Sequence, residues 1–245
     1  MKRYLYLLLP VLLISLPFTG CDVAQQAAVA VINSQGQPST LEIGTALKQA
    51  LEQGSTNSTT QLSAVDGFFA NAAVKILFPP EAKKAENTLR SIGLGKLADD
   101  VILSLNRAAE DAAKQAKPIF VNAVKQMTLQ DVTNILLGSQ DAATQYFKRT
   151  TTPDLLSKFA PVIQTSLGKV GATSYYSDAV NAYNKIPLVT KLNPDIAEYV
   201  TQKAIDGVFY QIAQEELKIR QNIGFRTTPL MQKVFAYADR TKNSR

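Results

Sequence analysis

The chain contains no histidine, no tryptophan and a single cysteine, Cys21, among its 245 residues. Each absence removes a class of chemistry. Without histidine there is no Ser-His-Asp or Cys-His triad, no imidazole metal ligand and no haem held through His. One thiol cannot form an intramolecular disulfide. Charged residues are sparse at 19%, and no run of Lys or Arg stands out, so nucleic acid is not an expected partner. No D-x-D-x-D-G calcium loop occurs either. Carboxylates, Lys, Arg, Tyr, Ser and Thr are what remain for chemistry, and no cofactor is expected.

What is present begins with a leader. Lys2 and Arg3 precede an uncharged, leucine-rich run from Tyr4 to Phe18. That run is shorter than the ~20 residues a spanning helix needs, and it matches the apolar core of an export signal. It ends in Phe18-Thr19-Gly20-Cys21, which resembles the lipobox of bacterial lipoproteins: an apolar residue, two small ones, then the cysteine that takes lipid. Phe18 departs from the usual leucine. The alternative is an ordinary secretory signal cut at Ala28-Val29-Ala30, which would leave a soluble periplasmic protein. Asp22 resembles an inner-membrane retention signal. The expected organisation is a signal peptide at 1–20, a lipidated N-terminus and flexible tether at 21–38, and a domain from 39 to 245. Loss of Lys2 and Arg3 lowers the net charge from +6 to +4, a modest bias towards anionic headgroups or cell-wall polymers.

The 225 residues after the leader carry helix signals throughout and no alternating β pattern, so the fold class is all-α, with about nine helices. Ser39 and Glu42 form a capping box. The helix they open meets poor helix formers from Gly54 to Thr60, where it either ends or continues weakly towards Val65. Val74 to Phe78, stopped by Pro79-Pro80, is the one strand-like piece. A helix is expected from Glu81 to Ile92. The longest helix is expected from Lys96 to about Met127, kinked at Pro118, with alanines at 108, 109, 112, 113 and 116 allowing close approach. Thr128 and Asp131 open the next, ending at Gly138. Ser139 opens another through Lys148, and Thr152-Pro153 begins a separate one that Pro161 bends. Further helices are expected over Tyr175–Ile186, from Asn193-Pro194 to about Asn222, and from Thr228-Pro229 to about Asp239.

The helix after Pro194 holds the most informative polar residues. Val200, Ala204, Val208, Ile212 and Ile219 share one face, and Glu215 falls among them. A carboxylate there needs a partner or stays protonated. Glu216 and Arg220 stand at i, i+4 in the favourable order, and Arg226 follows the turn at Gly224. Asn106, Arg107 and Glu110 flank the buried turns of the long central helix. Two readings stand side by side. In one, these groups form a structural network or a solvated face. In the other, Arg107, Arg220 and Arg226 converge on a pocket for a small anionic ligand, since the guanidinium fork suits carboxylate or phosphate. Tyr175, Tyr176, Tyr183, Tyr199 and Tyr210 read chiefly as core residues rather than as a sugar or peptide groove.

Several segments occur in a familiar order: Asn106-Arg107-Ala108-Ala109, Met127-Thr128 through Asp131, Ile135 to Gly138, Asp141 to Phe147, Asp206 to Phe209, Glu216 to Arg220, and Arg226-Thr227-Thr228 to Val234-Phe235. Together they resemble the bacterial domain-of-unknown-function family numbered four-one-nine-seven, over about Leu41 to Phe235. The resemblance implies an exported helical protein, with no established activity. It draws interest to Asn106, Arg107, Asp131, Thr144, Tyr146, Asp206, Glu216, Arg220 and Arg226 without giving any of them a role. Three functions remain open: a binding or scaffolding domain held at the membrane by its lipid and engaging an envelope protein; a carrier or sensor of a small anionic ligand; and a hydrolase using paired carboxylates, with Glu110 and Glu216 as the pair.

Overall fold

In the computed structural model the described residues are 37–91, 93–169, 171, 176, 177, 180, 181, 184, 191, 193 and 195–243. The leader, Cys21, Asp22, nearly all of the tether, Tyr175, Tyr183 and most of the helix expected over Tyr175–Ile186 lie outside them.

Ser39 accepts the amide of Glu42 and Glu42 accepts the amide of Ser39; this reciprocal cap starts α1 (Thr40–Ser63). α1 does not stop at Gly54. The hydroxyls of Ser58 and Thr59 donate to carbonyls one turn back, and the small face Gly54, Ser55, Ser58, Thr59 is buried. Weak propensity is overridden because a Cβ on Gly54 would already touch Glu215 and Ile219 at 3.5 and 3.8 Å, so smallness here permits tight helix contact.

After α1 the chain passes through hydrogen-bonded turns up to Val74, with Asp66 at a φ of 67°, and then runs without regular structure from Lys75 to Pro79. This stretch is not a strand, and no strand lies among the described residues. Instead of a neighbouring strand, the side chain of buried Asn106 serves the backbone of Ile76: its Oδ1 accepts the Ile76 amide and its Nδ2 donates to the Ile76 carbonyl, both at 2.8 Å. One amide side chain thus supplies the donor and acceptor a ladder partner would have given.

α2 (Lys83–Ser91), preceded by a 3₁₀ turn at Pro80–Ala82, leads to α3 (Gly95–Ala113) and α4 (Ala116–Lys125). The expected single helix from Lys96 to Met127 is therefore two. The break at Lys114-Gln115 falls four residues ahead of Pro118, where the proline ring would strike the carbonyl and leave it without a donor. α5 (Leu129–Leu137) carries the Thr128/Asp131 capping box. α6 (Ala142–Lys169) runs unbroken through Pro153 and Pro161, so the two helices expected around Thr152 are one. Ala143, Phe147, Thr151, Leu155, Phe159, Ile163 and Leu167 are buried at every fourth residue across both prolines. Burial of this row outweighs the two lost backbone hydrogen bonds. α7 (Ile196–Gln221) and α8 (Pro229–Asn243) follow, joined by a 3₁₀ turn at Ile223–Phe225. With one expected helix split, two fused and another largely outside the described residues, eight α-helices are described where the sequence predicts about nine. The all-α class holds.

Residues 38–245 gather into one compact unit. α1 packs against α3, α4, α5, α7 and α8, and α6 lies against α3, α4, α5 and α7. α7 runs antiparallel to α1, with Gln211 bonded to Gln61 and Glu215 to Asn57. α8 continues along the first half of α1, with Thr228 bonded to Gln49 and Lys233 to Glu42. The aromatic centre joins α4, α6 and α7: Phe120 meets Phe147 edge-on at 5.0 Å and Phe209 at 6.2 Å. Gly207 gives Phe68 its place, since a Cβ there would come within 2.6 Å of the ring.

Candidate functional site

The residues singled out by sequence resolve into three groups. The first is built on the last turns of α7. The Glu216 carboxylate accepts the amides of Ala143 and Thr144 at 2.9 Å each and the Thr144 hydroxyl at 2.8 Å. These are free donors at the N-terminus of α6, and a carboxylate there also meets the positive end of the helix dipole. Ser139, expected to cap this helix, instead donates to Asp141. Arg220 binds Glu216 through Nε and Nη2 at 3.0 and 2.8 Å and donates to the carbonyls of Ile135 and Leu136, the last turn of α5. Lys242 donates to the Gly138 carbonyl just beyond; burial lowers the ammonium pKa, with a smaller contribution from the Arg220 charge. Acid at a helix start and base at a helix end are each favourable, and one i, i+4 pair delivers both. Arg226, 5% exposed, donates to the carbonyls of Ile219 and Arg220 and to Asp239 of α8. From beyond the 3₁₀ turn it caps the end of α7 and ties α8 on.

Glu215, 4% exposed within its apolar face, has the partners it needs: Lys218 at 2.6 Å and the Asn57 amide at 3.0 Å. The space enclosed beside Glu216 and Arg220, walled by Leu47, Leu51, Phe147 and Phe235 among others, is about 20 Å³. That is room for one water-sized sphere, well below the ~300 Å³ and more of a ligand pocket.

The second group is elsewhere. Glu110 accepts the amides of Phe68 and Phe69 at 3.1 and 3.2 Å and the Arg107 guanidinium at 2.6 Å; Arg107 in turn bonds Asp66 at 2.7 Å. Both carboxylate contacts raise the Arg107 pKa, Glu110 more than Asp66. This network fixes the left-handed turn after α1. Arg220 and Arg226 are thus joined, whereas Arg107 serves a different turn and lines a different cleft. Glu110 and Glu216 share no partner, and each is engaged by backbone amides and an arginine.

The third group surrounds a cleft of about 300 Å³ between α4, α5 and α6, lined by Asn122, Asp131, Tyr146, Arg149, Thr150 and Asp154 with several neighbours. The Tyr146 hydroxyl donates to the Ala123 carbonyl, and burial raises its pKa, helped by the Asp131 charge. Hydrogen bonds from Thr128 lower the pKa of Asp131. Arg149 was not singled out by sequence. It stands 3.9 Å from Asp131 and over the Tyr146 ring, and only its i, i+3 spacing from Tyr146 on one helix face signalled the pairing. Asp206 belongs to none of these groups; it is exposed and bonded to Gln202 on its own helix. Of the tyrosines, Tyr176 is core, 5% exposed and 6.4 Å from the Phe78 ring, with its pKa pushed up to about 12 by burial, whereas Tyr210 is 43% exposed. Among the described residues no cluster of acidic side chains has the makings of a metal site, and no helix is long and apolar enough to cross a membrane.

No curated protein and no solved structure matches the chain. The family model described as protein of unknown function (DUF4197) matches residues 37–236, a span that starts beside Pro38, just before the α1 cap, and ends inside α8. It takes in Asn106, Glu110, Glu216, Arg220 and Arg226 together with the helix ends they hold. The chain therefore belongs to the DUF4197 family.

Proposed function

We propose that this is an exported bacterial lipoprotein, anchored through acyl chains on Cys21 and facing the periplasm, whose helical domain is a non-enzymatic binding or scaffolding module. Lys2-Arg3, the apolar run Tyr4–Phe18 and Phe18-Thr19-Gly20-Cys21 support export and lipidation. Three acyl chains exceed the two hydrophobic signals that suffice for stable anchoring. Asp22 favours retention at the inner membrane.

One observation carries the scaffolding reading. The charged side chains that looked most chemical, Glu110, Glu216, Arg220 and Arg226, are engaged in holding helix ends and turns. Such a domain presents a rigid surface rather than a reaction centre. Fatty-acid labelling followed by cross-linking in intact cells tests both halves. Label on the wild type but not on Cys21→Ser, with a reproducible envelope protein cross-linked, is the expected outcome. Absence of label rejects the anchor; a co-purifying small molecule without a protein partner rejects the scaffold.

A second reading, a carrier of a small anionic ligand, is favoured by the 300 Å³ cleft beside Arg149. It predicts a thermal shift with small dicarboxylates or phosphates that Arg149→Ala removes.

A further inference from the structure

The chain is pinned to the domain at buried Pro38. In the first turn of α1 stands Leu41, 78% exposed, and Leu129, at the first position of α5, is 62% exposed. They lie together. Leu129 Cδ2 is 4.0 Å from where a Cβ on Gly44 would be, and Gly44 follows Leu41 by three residues, on the same helix face. Leu129 thus leans over α1 at Gly44, at ordinary van der Waals distance. Lys48, half-buried, continues that face one turn further, and Lys125 ends α4 exposed, four residues before Leu129. The nearby acids are engaged: Glu42 with Lys233 at 2.6 Å, and Asp131 inside its capping box. This end of the domain therefore shows two leucines and two lysines.

We infer that this pole docks on the surface of an anionic bilayer, the leucines entering the headgroup–acyl boundary and the lysines meeting lipid phosphates. The inference rests on the proposed lipidation of Cys21. Sixteen residues separate Cys21 from Pro38, at most ~55 Å even when fully extended. Along the chain the pole is the part of the domain next to its own anchor, and a short tether makes even weak docking intramolecular. Val65, equally exposed at 78%, lies beyond the other end of α1, ~36 Å away along a 24-residue helix. It is a built-in control: as apolar and as open, at the wrong end.

The acylated protein is placed in phosphatidylglycerol/phosphatidylethanolamine vesicles with brominated acyl chains. A bimane probe is attached to Leu41→Cys, Leu129→Cys or Val65→Cys, in each case the only free thiol. Quenching at 41 and 129 at least threefold above that at 65 is expected. It should fall to the Val65 level at a Thr45→Cys probe when Leu41→Ser and Leu129→Ser are combined. Equal quenching at all three positions overturns the inference, because the domain then tumbles freely. Probes at 41 and 129 unquenched by lipid, with the unlabelled Leu41→Cys and Leu129→Cys thiols shielded from aqueous maleimide in cells, also overturn it and assign the patch to a protein. Mass spectrometry of the same sample separates the two claims: acyl chains present with unquenched probes removes the docking alone, whereas no acyl chains removes the anchor and the docking with it.

Discussion

Replacing Glu216 by alanine probes the capping network most directly. The carboxylate is 7% exposed and its partner Arg220 8%. Truncation strands a buried guanidinium, which costs about 3–5 kcal/mol when one member of a buried pair is lost. It also leaves the amides of Ala143 and Thr144 without an acceptor, though this overlaps with the first loss and the two do not simply add. For a domain of this size about 3–5 kcal/mol corresponds to a fall in Tm on the order of 6–20 °C. The informative variant is the double replacement Glu216→Met with Arg220→Met. If the two residues served only each other, two apolar side chains would restore most of the stability. The structure says otherwise: the α6 amides and the α5 carbonyls stay orphaned, so a deficit of about 2 kcal/mol should persist. Urea unfolding of the wild type, the single variants and the double variant measures this. Disruption of the exposed pair Lys96–Asp100, 86% and 54% exposed, serves as a control expected within about 0.5 kcal/mol of wild type. A Glu216→Ala loss below about 1 kcal/mol, or full recovery in the double variant, would refute the capping account.

Asn106→Leu removes both partners of the Ile76 backbone and should cost about 2–4 kcal/mol, with the Ile76 amide exchanging faster with deuterium than its neighbours on α3; unchanged protection there would refute the ladder-mimic role. Gly207→Ala gains up to about 1 kcal/mol of helix propensity but drives a methyl to within 2.6 Å of the Phe68 ring; a net loss of about 1–3 kcal/mol is expected, partly relieved by adding Phe68→Leu. Glu42 is lowered from 4.5 to about 2, chiefly by its hydrogen bond from Lys233 and then by the Ser39 amide and hydroxyl. For a carboxylate depressed on folding, the stabilisation is fully present above the unfolded value and lost as pH falls between about 4.5 and 2. Glu86 acts in the same direction, since desolvation by burial is outweighed by the Lys83 and Arg90 contacts together. Unfolding free energies that decline from pH 5 to pH 2, less steeply in Lys233→Met, are expected, and parallel profiles would contradict the assignment.

The beginnings of helices were legible wherever the cap was local. Ser39 with Glu42 and Thr128 with Asp131 act across three residues, so the pattern along the chain contains the whole interaction. The apolar face of α7 and the Glu216–Arg220 pair were legible for the same reason, as was membership of the family. Prolines were read less well. Pro118 acted four residues upstream rather than at its own position. Pro153 did not stop α6, because the decision lay with the buried row on both sides of it.

Sequence alone determined the all-α class and which side chains had to find partners, because helical periodicity and local caps involve residues only three or four apart. Only the tertiary structure decided which partners those were. Glu216 finds its amides 72 and 73 residues away, Arg220 its carbonyls 84 and 85 away, and Asn106 the Ile76 backbone 30 away. No spacing in the chain encodes such meetings. They follow from which helix ends the packed core brings alongside one another, and they make Glu216, Arg220 and Arg226 fastenings between helix ends.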